Sequence, residues 1–580
     1  MYRPVGTHVK TSLSPTPGWG DLLATAILAL SIYSIVVTAK QWTASFQPNL
    51  PIDLALSALP LYTLFSLTRA IIAYLLSLLF SLTVGYWAAK SPRAAKLLLP
   101  ILDIGQSIPV LGFLPGLVLG LVALFPNQSF GLELACILMI FTGQVWNLAF
   151  GYYAALKAIP DSFLELGAIA HLTPWQRWQR IELPFAATSL AWNSMMSMAG
   201  GWFFLTVCES FTIEGNAFRV PGLGSYMALA LEKGDKTAIL GGLCAMISII
   251  MGLDFLVWRP ILAWTRKFRL DEQSIEGVAS IPFVELVLQD SRLLRFWNRR
   301  RKLQARRHRN QLPSLFPFSL PPWIHTVAHI GRLPAFVWLL KLCLVGVCIY
   351  TIRPLVLYVW EVPQTTWELV LSASGITLSR VLCALLLASL WTVPFGIWVG
   401  LSPRRTALLQ PLIQVMASFP APMLYPLVLF ALHHLHIGLS FGSVILMLLG
   451  VQWYVLFNVL AGATTISGEL RDACNLMHVS TTKTWKVLYL PSILPSLITG
   501  WITAAGGAWN ASIIAEYVLY DGKISKVLGI GSVISEATAT GDFHLLAVSL
   551  IMMVCMVLFF NKWVWRRLYA YTERRFKIER

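Results

Sequence analysis

Charge is what this chain has least of. Only 12% of its 580 residues are Asp, Glu, Lys or Arg, 57% are hydrophobic, and the mean hydropathy is +0.68. An average soluble domain is about a quarter charged. No single aqueous core can hide so much apolar surface, so the bilayer is the expected solvent. Short segments of alternating hydrophobicity are missing, which excludes a membrane β-barrel. No CxxC pair exists among the eight cysteines: Cys136, Cys208, Cys244, Cys343, Cys348, Cys383 and Cys555 fall in apolar runs and Cys474 in a polar loop. This excludes a disulfide framework and a zinc site. The ten histidines show no metal spacing, and His433, His434 and His436 read as interfacial. No G-x-x-x-x-G-K-[ST] occurs, so the chain has no P-loop for ATP. No nucleophile–base set stands out, which argues against an enzyme. The N-terminus has no A-x-A cleavage site, so an uncleaved first span is expected.

The charge that is present is mostly basic, net +17. Lys and Arg gather in the cytoplasmic loops of membrane proteins, which accounts for the excess without nucleic acid. The run Arg292 to Arg309 holds nine Lys or Arg and no acid. It reads as a connector touching anionic headgroups, each charge contributing about 1 kcal/mol near the surface. No aromatic stacking module accompanies it, which counts against RNA.

The chain repeats itself. Arg69 corresponds to Arg380, Pro100 to Pro411, Ser107 to Ser418 and Pro109 to Pro420, all 311 positions apart. After four lost residues the offset becomes 307, matching Trp146 with Trp453, His171 with His478, Glu209 with Glu516, Gly222 with Gly529 and Gly224 with Gly531. The expected organisation is a first half over 1–270, a basic linker over 271–330 and a second half over 331–580. Each half has six apolar runs, at about 21–39, 67–89, 98–124, 130–156, 185–211 and 237–264, then about 334–358, 378–400, 408–433, 438–461, 492–517 and 543–566. The expectation is an all-α membrane protein with about 12 spanning helices, in two parallel six-helix repeats. Basic residues at Lys90, Arg93, Arg177, Arg180, Arg404, Arg405, Lys483 and Lys486 place their loops, both termini and the linker in the cytoplasm.

Two of those cytoplasmic loops are long, polar and alike: "ELGAIAHLTPWQRWQRIELP" from Glu165 and "DACNLMHVSTTKTWKVLYLP" from Asp472. In both, six positions separate the acid from the His and thirteen separate the His from the Pro. Thr173-Pro174 can restart a helix, Thr as cap and Pro in the first turn. A helix–turn–helix is expected, suited to docking into a groove on a soluble partner.

These loops resemble the "EAA" loop of ABC importer permeases, which holds the coupling helix seated on the ATP-hydrolysing subunit. Glu165 and Asp472 match the acid. Ala473 and Cys474 match the small residues, Gly167 less closely with Ala168 beside it, and both Leu-Pro pairs match. His171 and His478 stand where the family has Gly. "SIPVLGFLP", "SFPAPMLYP", "GLGS" and "GIGS" resemble permeases for nitrate, sulfonates, taurine and bicarbonate. The resemblance implies a fused two-copy, type I importer permease in a bacterial inner membrane. It also implies two cytoplasmic ATPase subunits that bind ATP and magnesium, an external solute-binding protein, and one fused chain per complex. The cargo it implies is a small anion, the alternative being a neutral or zwitterionic metabolite. An ion-coupled secondary transporter is the competing class.

Polar residues inside spans are candidates for the path. Glu209 and Glu516 stand near the outer ends of the fifth spans; their charge would repel an anion, which favours a gate or packing role. Gln106, Ser107 and Ser418 precede span-breaking prolines and either line a cavity or satisfy freed backbone groups. Asn193, Thr503 and Asn510 are comparable. Trp146 and Trp453 read as packing rather than as contacts to cargo.

Overall fold

The computed structural model describes residues 36–45, 50–265, 359–520 and 523–565, with isolated positions beyond them. Nearly all belong to one compact unit, Thr38–Gly277 with Cys348–Arg580. The linker, the expected first span of the second half and most of that of the first lie outside the described residues.

Seven described helices are long and apolar enough to cross a membrane. They correspond to the second, fourth and sixth spans of the first half and the second, fourth, fifth and sixth of the second. The third spans differ from expectation: each is a bent pair. Pro403–Ser418 and Ala421–His434 meet at 84°, and Pro92–Ser107 is likewise bent from the segment ending at Leu124. The cause is local. A proline excludes the helical region for the residue before it, and Ile108 and Phe419, preceding Pro109 and Pro420, are extended at ψ 128°. With the bent pairs the count reaches nine. The fifth helix of the first half, Leu183–Cys208, is the repeat partner of Leu490–Ala515 and is not among these nine. Turns of π-helix recur at equivalent places, Trp178–Glu182 with Trp485–Tyr489 and Asp254–Trp258 with Asn561–Trp565.

Two β-hairpins interrupt the helices, one after each fifth span. They pair β1 (Ser210–Ile213) with β2 (Asn216–Arg219), and β3 (Tyr517–Tyr520) with β4 (Lys523–Lys526). Their signals stand in the sequence as alternating residues around Glu214-Gly215 and Asp521-Gly522, an acid-Gly pair suited to a two-residue turn. Glu214 (φ 51°) and Gly215 (φ 74°) both adopt the positive φ such a turn needs.

The two halves interlock. The Val110 N–H donates to Asn510 Oδ1 at 2.8 Å, 400 positions away. The turn of the first hairpin docks on the other half, where the Glu214 and Gly215 N–H groups donate to the Thr538 and Ala539 carbonyls at 3.2 and 2.9 Å. Asn561 donates to Asp103 at 3.3 Å.

Candidate functional site

Two features repeat across the halves, a polar helical turn and a buried ion pair, and a cavity lies between the halves.

The first helix of each polar loop spans Asp161–Ile169 or Gly468–Leu476. Each ends in a Schellman turn, the usual place for a left-handed residue. In the first half, Leu172 N–H donates to the Gly167 carbonyl and His171 N–H to that of Ala168, both at 3.0 Å. In the second, Val479 N–H donates to Cys474 and His478 N–H to Asn475 at 3.0 and 3.1 Å. His171 and His478 hold φ 47° and 49°. Histidine therefore fills the left-handed position without changing the turn. Thr173 caps the next helix, Pro174–Arg177, in a full capping box with Gln176. Glu165, Ala168, Asp472 and both histidines are exposed, Ala473 and Cys474 are half-buried, and Gly167 lies buried against Ile181 and Arg177.

Glu209 and Glu516 lie fully buried, away from the cavity. Arg69 donates to Glu209 Oε1 at 2.7 Å and bridges Glu133 at 2.5 and 2.8 Å. Ser66, one helical turn before Arg69, donates to Glu209 at 2.7 Å and accepts the Leu223 N–H at 2.8 Å. The Gly224 N–H, opening helix Leu223–Glu232, donates to Glu209 Oε2 at 2.6 Å. A carboxylate at a helix N-terminus is favoured by the orphan N–H groups and the dipole. The second half repeats this: Arg380 and Thr377 donate to Glu516 at 2.7 and 2.8 Å, and Gly531 N–H donates at 2.9 Å. This explains "GLGS" and "GIGS" after each acid: a Cβ on Gly222 or Gly529 would run into the carboxylate. The copies differ at two points: Ser66 is replaced by Thr377, and the position matching Glu133 by the 307 offset is Ser440. Sequence reading passed over Arg69, Arg380 and Glu133 as partners; a charged residue inside an apolar run was the available signal.

The cavity encloses about 120 Å³ and draws its lining from both halves. Nine lining positions of the first half have their 307-offset counterparts in the lining: 142/449, 143/450, 146/453, 147/454, 196/503, 199/506, 200/507, 203/510 and 204/511. The cavity therefore sits on the relation between the repeats. Among the described residues no charged side chain lines it. Of the expected path residues, Gln106, Thr503 and Asn510 are in the wall. Asn193 is outside it, donating to the Ser189 carbonyl at 2.8 Å. Ser418 is also outside, donating to the Gln414 carbonyl of its own helix at 2.8 Å. The Ser107 side chain falls outside the description. Trp146 and Trp453, expected to pack rather than to contact cargo, both stand in the cavity wall. The Trp146 ring packs against the Gly105 backbone, where a Cβ would clash with it. Thr142, Asn147 and Tyr454 were not foreseen.

Residues 81–258 and 392–578 each match the family described as binding-protein-dependent transport system inner membrane component. The two matches begin 311 positions apart, the offset of the repeat. The chain belongs to this family. It is a duplicated, multi-pass permease of the inner membrane type. Among its relatives, it is 27% identical over 161 residues to the bicarbonate transport system permease protein of Synechococcus elongatus, covering 28% of this chain and 55% of the relative. It is 28% identical over 168 residues to the taurine transport system permease protein of Escherichia coli, covering 29% and 56%. It is 23% identical over 196 residues to a nitrate import permease protein of Leptolyngbya laminosa, covering 31% and 67%. The chain thus spans about half the length of the first two. The duplicated permease resembles the group its motifs indicated.

Proposed function

We propose that this chain provides the whole membrane path of an ATP-driven importer for a small anion. Its two halves, 1–270 and 331–580, are joined by the basic linker 271–330. The observations that carry the proposal are the matched pair of Schellman-turn helices, each with an exposed acid and histidine, and one cavity lined by both halves. Each helix serves as the docking face for one cytoplasmic ATPase, so two ATPases serve one fused chain. ATP and magnesium bind on those subunits. An external solute-binding protein delivers cargo. Both termini lie in the cytoplasm, by the distribution of basic residues. The cavity has no basic side chain, so an anion is held by amide, hydroxyl and backbone donors. Weak, neutral contacts suit a path that must release what it carries. The aromatic walls also favour a second cargo class, a zwitterion, whose alkylammonium end can lie on a ring face.

The test is reconstitution. The purified chain alone should hydrolyse no ATP. With its cognate ATPase, loaded binding protein should stimulate hydrolysis, and the Glu165→Lys, Asp472→Lys double variant should insert normally yet fail to capture the ATPase. Robust hydrolysis by the chain alone, or full transport by the double variant, would sink the proposal.

A further inference from the structure

The cavity is symmetric in position and one-sided in chemistry. Position 106 holds Gln and its counterpart 417 Ala; position 147 holds Asn and its counterpart 454 Tyr. The polar groups differ in whether they are free. Asn510 has spent both ends of its amide, accepting from Val110 N–H at 2.8 Å and donating to the Gly506 carbonyl at 3.1 Å. The Thr142 and Thr503 hydroxyls donate to their own helices, to Met139 and Thr499 at 2.7 and 3.0 Å. Asn510 is thus a clamp between the halves. The Gln106 and Asn147 amides and the Tyr454 hydroxyl have no hydrogen-bond partner among the described residues, and both amides belong to the first half.

We infer that cargo binds one way round. Its oxo head is held by the amide N–H groups of Gln106 and Asn147, and its other end lies against the rings of Trp146, Trp453 and Tyr454. This rests on the importer reading and, within it, selects the second cargo class, the zwitterion, over a bare inorganic anion. The class selected is a small organic solute with a compact oxyanion head and an alkylammonium or apolar tail, such as an aminosulfonate or a betaine. Ring faces are electron-rich, so they attract an alkylammonium group and repel a bare inorganic anion. An amide donor with no internal partner loses nothing by turning to a ligand.

The experiment uses the full chain with its cognate ATPase and binding protein in proteoliposomes. The probes are taurine, glycine betaine, nitrate and bicarbonate. Taurine or glycine betaine should be taken up. Gln106→Ala and Asn147→Ala should each lower that uptake about ten-fold or more, as loss of one hydrogen bond to a charged group predicts. The exchange Gln106→Ala with Ala417→Gln should not restore uptake. Undiminished uptake in the Gln106→Ala, Asn147→Ala double variant would overturn the site. Recovery in the exchange variant would overturn its one-sidedness. Uptake of neither organic probe would overturn the cargo class. Absence of stimulated hydrolysis in the unaltered complex would instead defeat the importer reading.

Discussion

Arg69 and Arg380 hold equivalent positions but unequal loads, and their removal should differ accordingly. Arg69 is 1% exposed and satisfies two carboxylates, Glu133 and Glu209, together with the Pro221 carbonyl at 2.8 Å. Arg69→Met strands two buried carboxylates in the first half. Arg380→Met strands one, Glu516, which keeps Thr377 and the Gly531 N–H. Removing one member of a buried pair costs about 3–5 kcal/mol. The loss in Arg380→Met should lie in that range, and the loss in Arg69→Met should approach twice it. With about 2–4 °C per kcal/mol for a domain of this size, Arg380→Met should lower the melting temperature by about 10 °C. Arg69→Met should lower it much further or leave no folded chain. Adding Glu133→Gln to Arg69→Met leaves one carboxylate, as in the second half, and should bring stability back to the Arg380→Met level. Thermal unfolding of the purified chain in detergent, followed by tryptophan fluorescence, reads all three. Equal shifts for the two arginine variants, or no recovery on adding Glu133→Gln, would refute the charge count.

Two further outcomes follow from backbone geometry. His171→Gly and His478→Gly should keep full transport and gain up to about 1 kcal/mol, because Gly accepts the left-handed position freely; His171→Val should lose ATPase capture in a pull-down, a β-branched residue being strained at that φ. Gly222→Ala and Gly529→Ala should each destabilise the chain in the same melting assay, since the added methyl meets the Glu209 or Glu516 carboxylate; a change within about 0.5 kcal/mol, the ordinary range for surface substitutions, would show that the carboxylate can move.

The amino-acid sequence by itself determined the solvent, the repeat and the polar turns. These depend on local facts. Twenty apolar residues in a row span a bilayer whatever their neighbours, and Thr173-Pro174 caps a helix from its own side chains. The hairpins are equally local, their acid-Gly turns standing in the sequence at Glu214-Gly215 and Asp521-Gly522. The tertiary structure alone decided what the buried acids do. Glu209 finds its arginine 140 positions away, and hydropathy records a charge in a span without recording its partner. It alone decided which tryptophans line the cavity, because packing and lining residues are equally apolar along a helix. It decided, too, that Asn510 clamps while Gln106 and Asn147 stay free. That difference depends on which helix face meets the other half, and on a Val110 N–H released where a proline breaks the third span. The chemistry of each side chain is written in the chain; whether a hydrogen bond is already taken is settled only when distant segments meet.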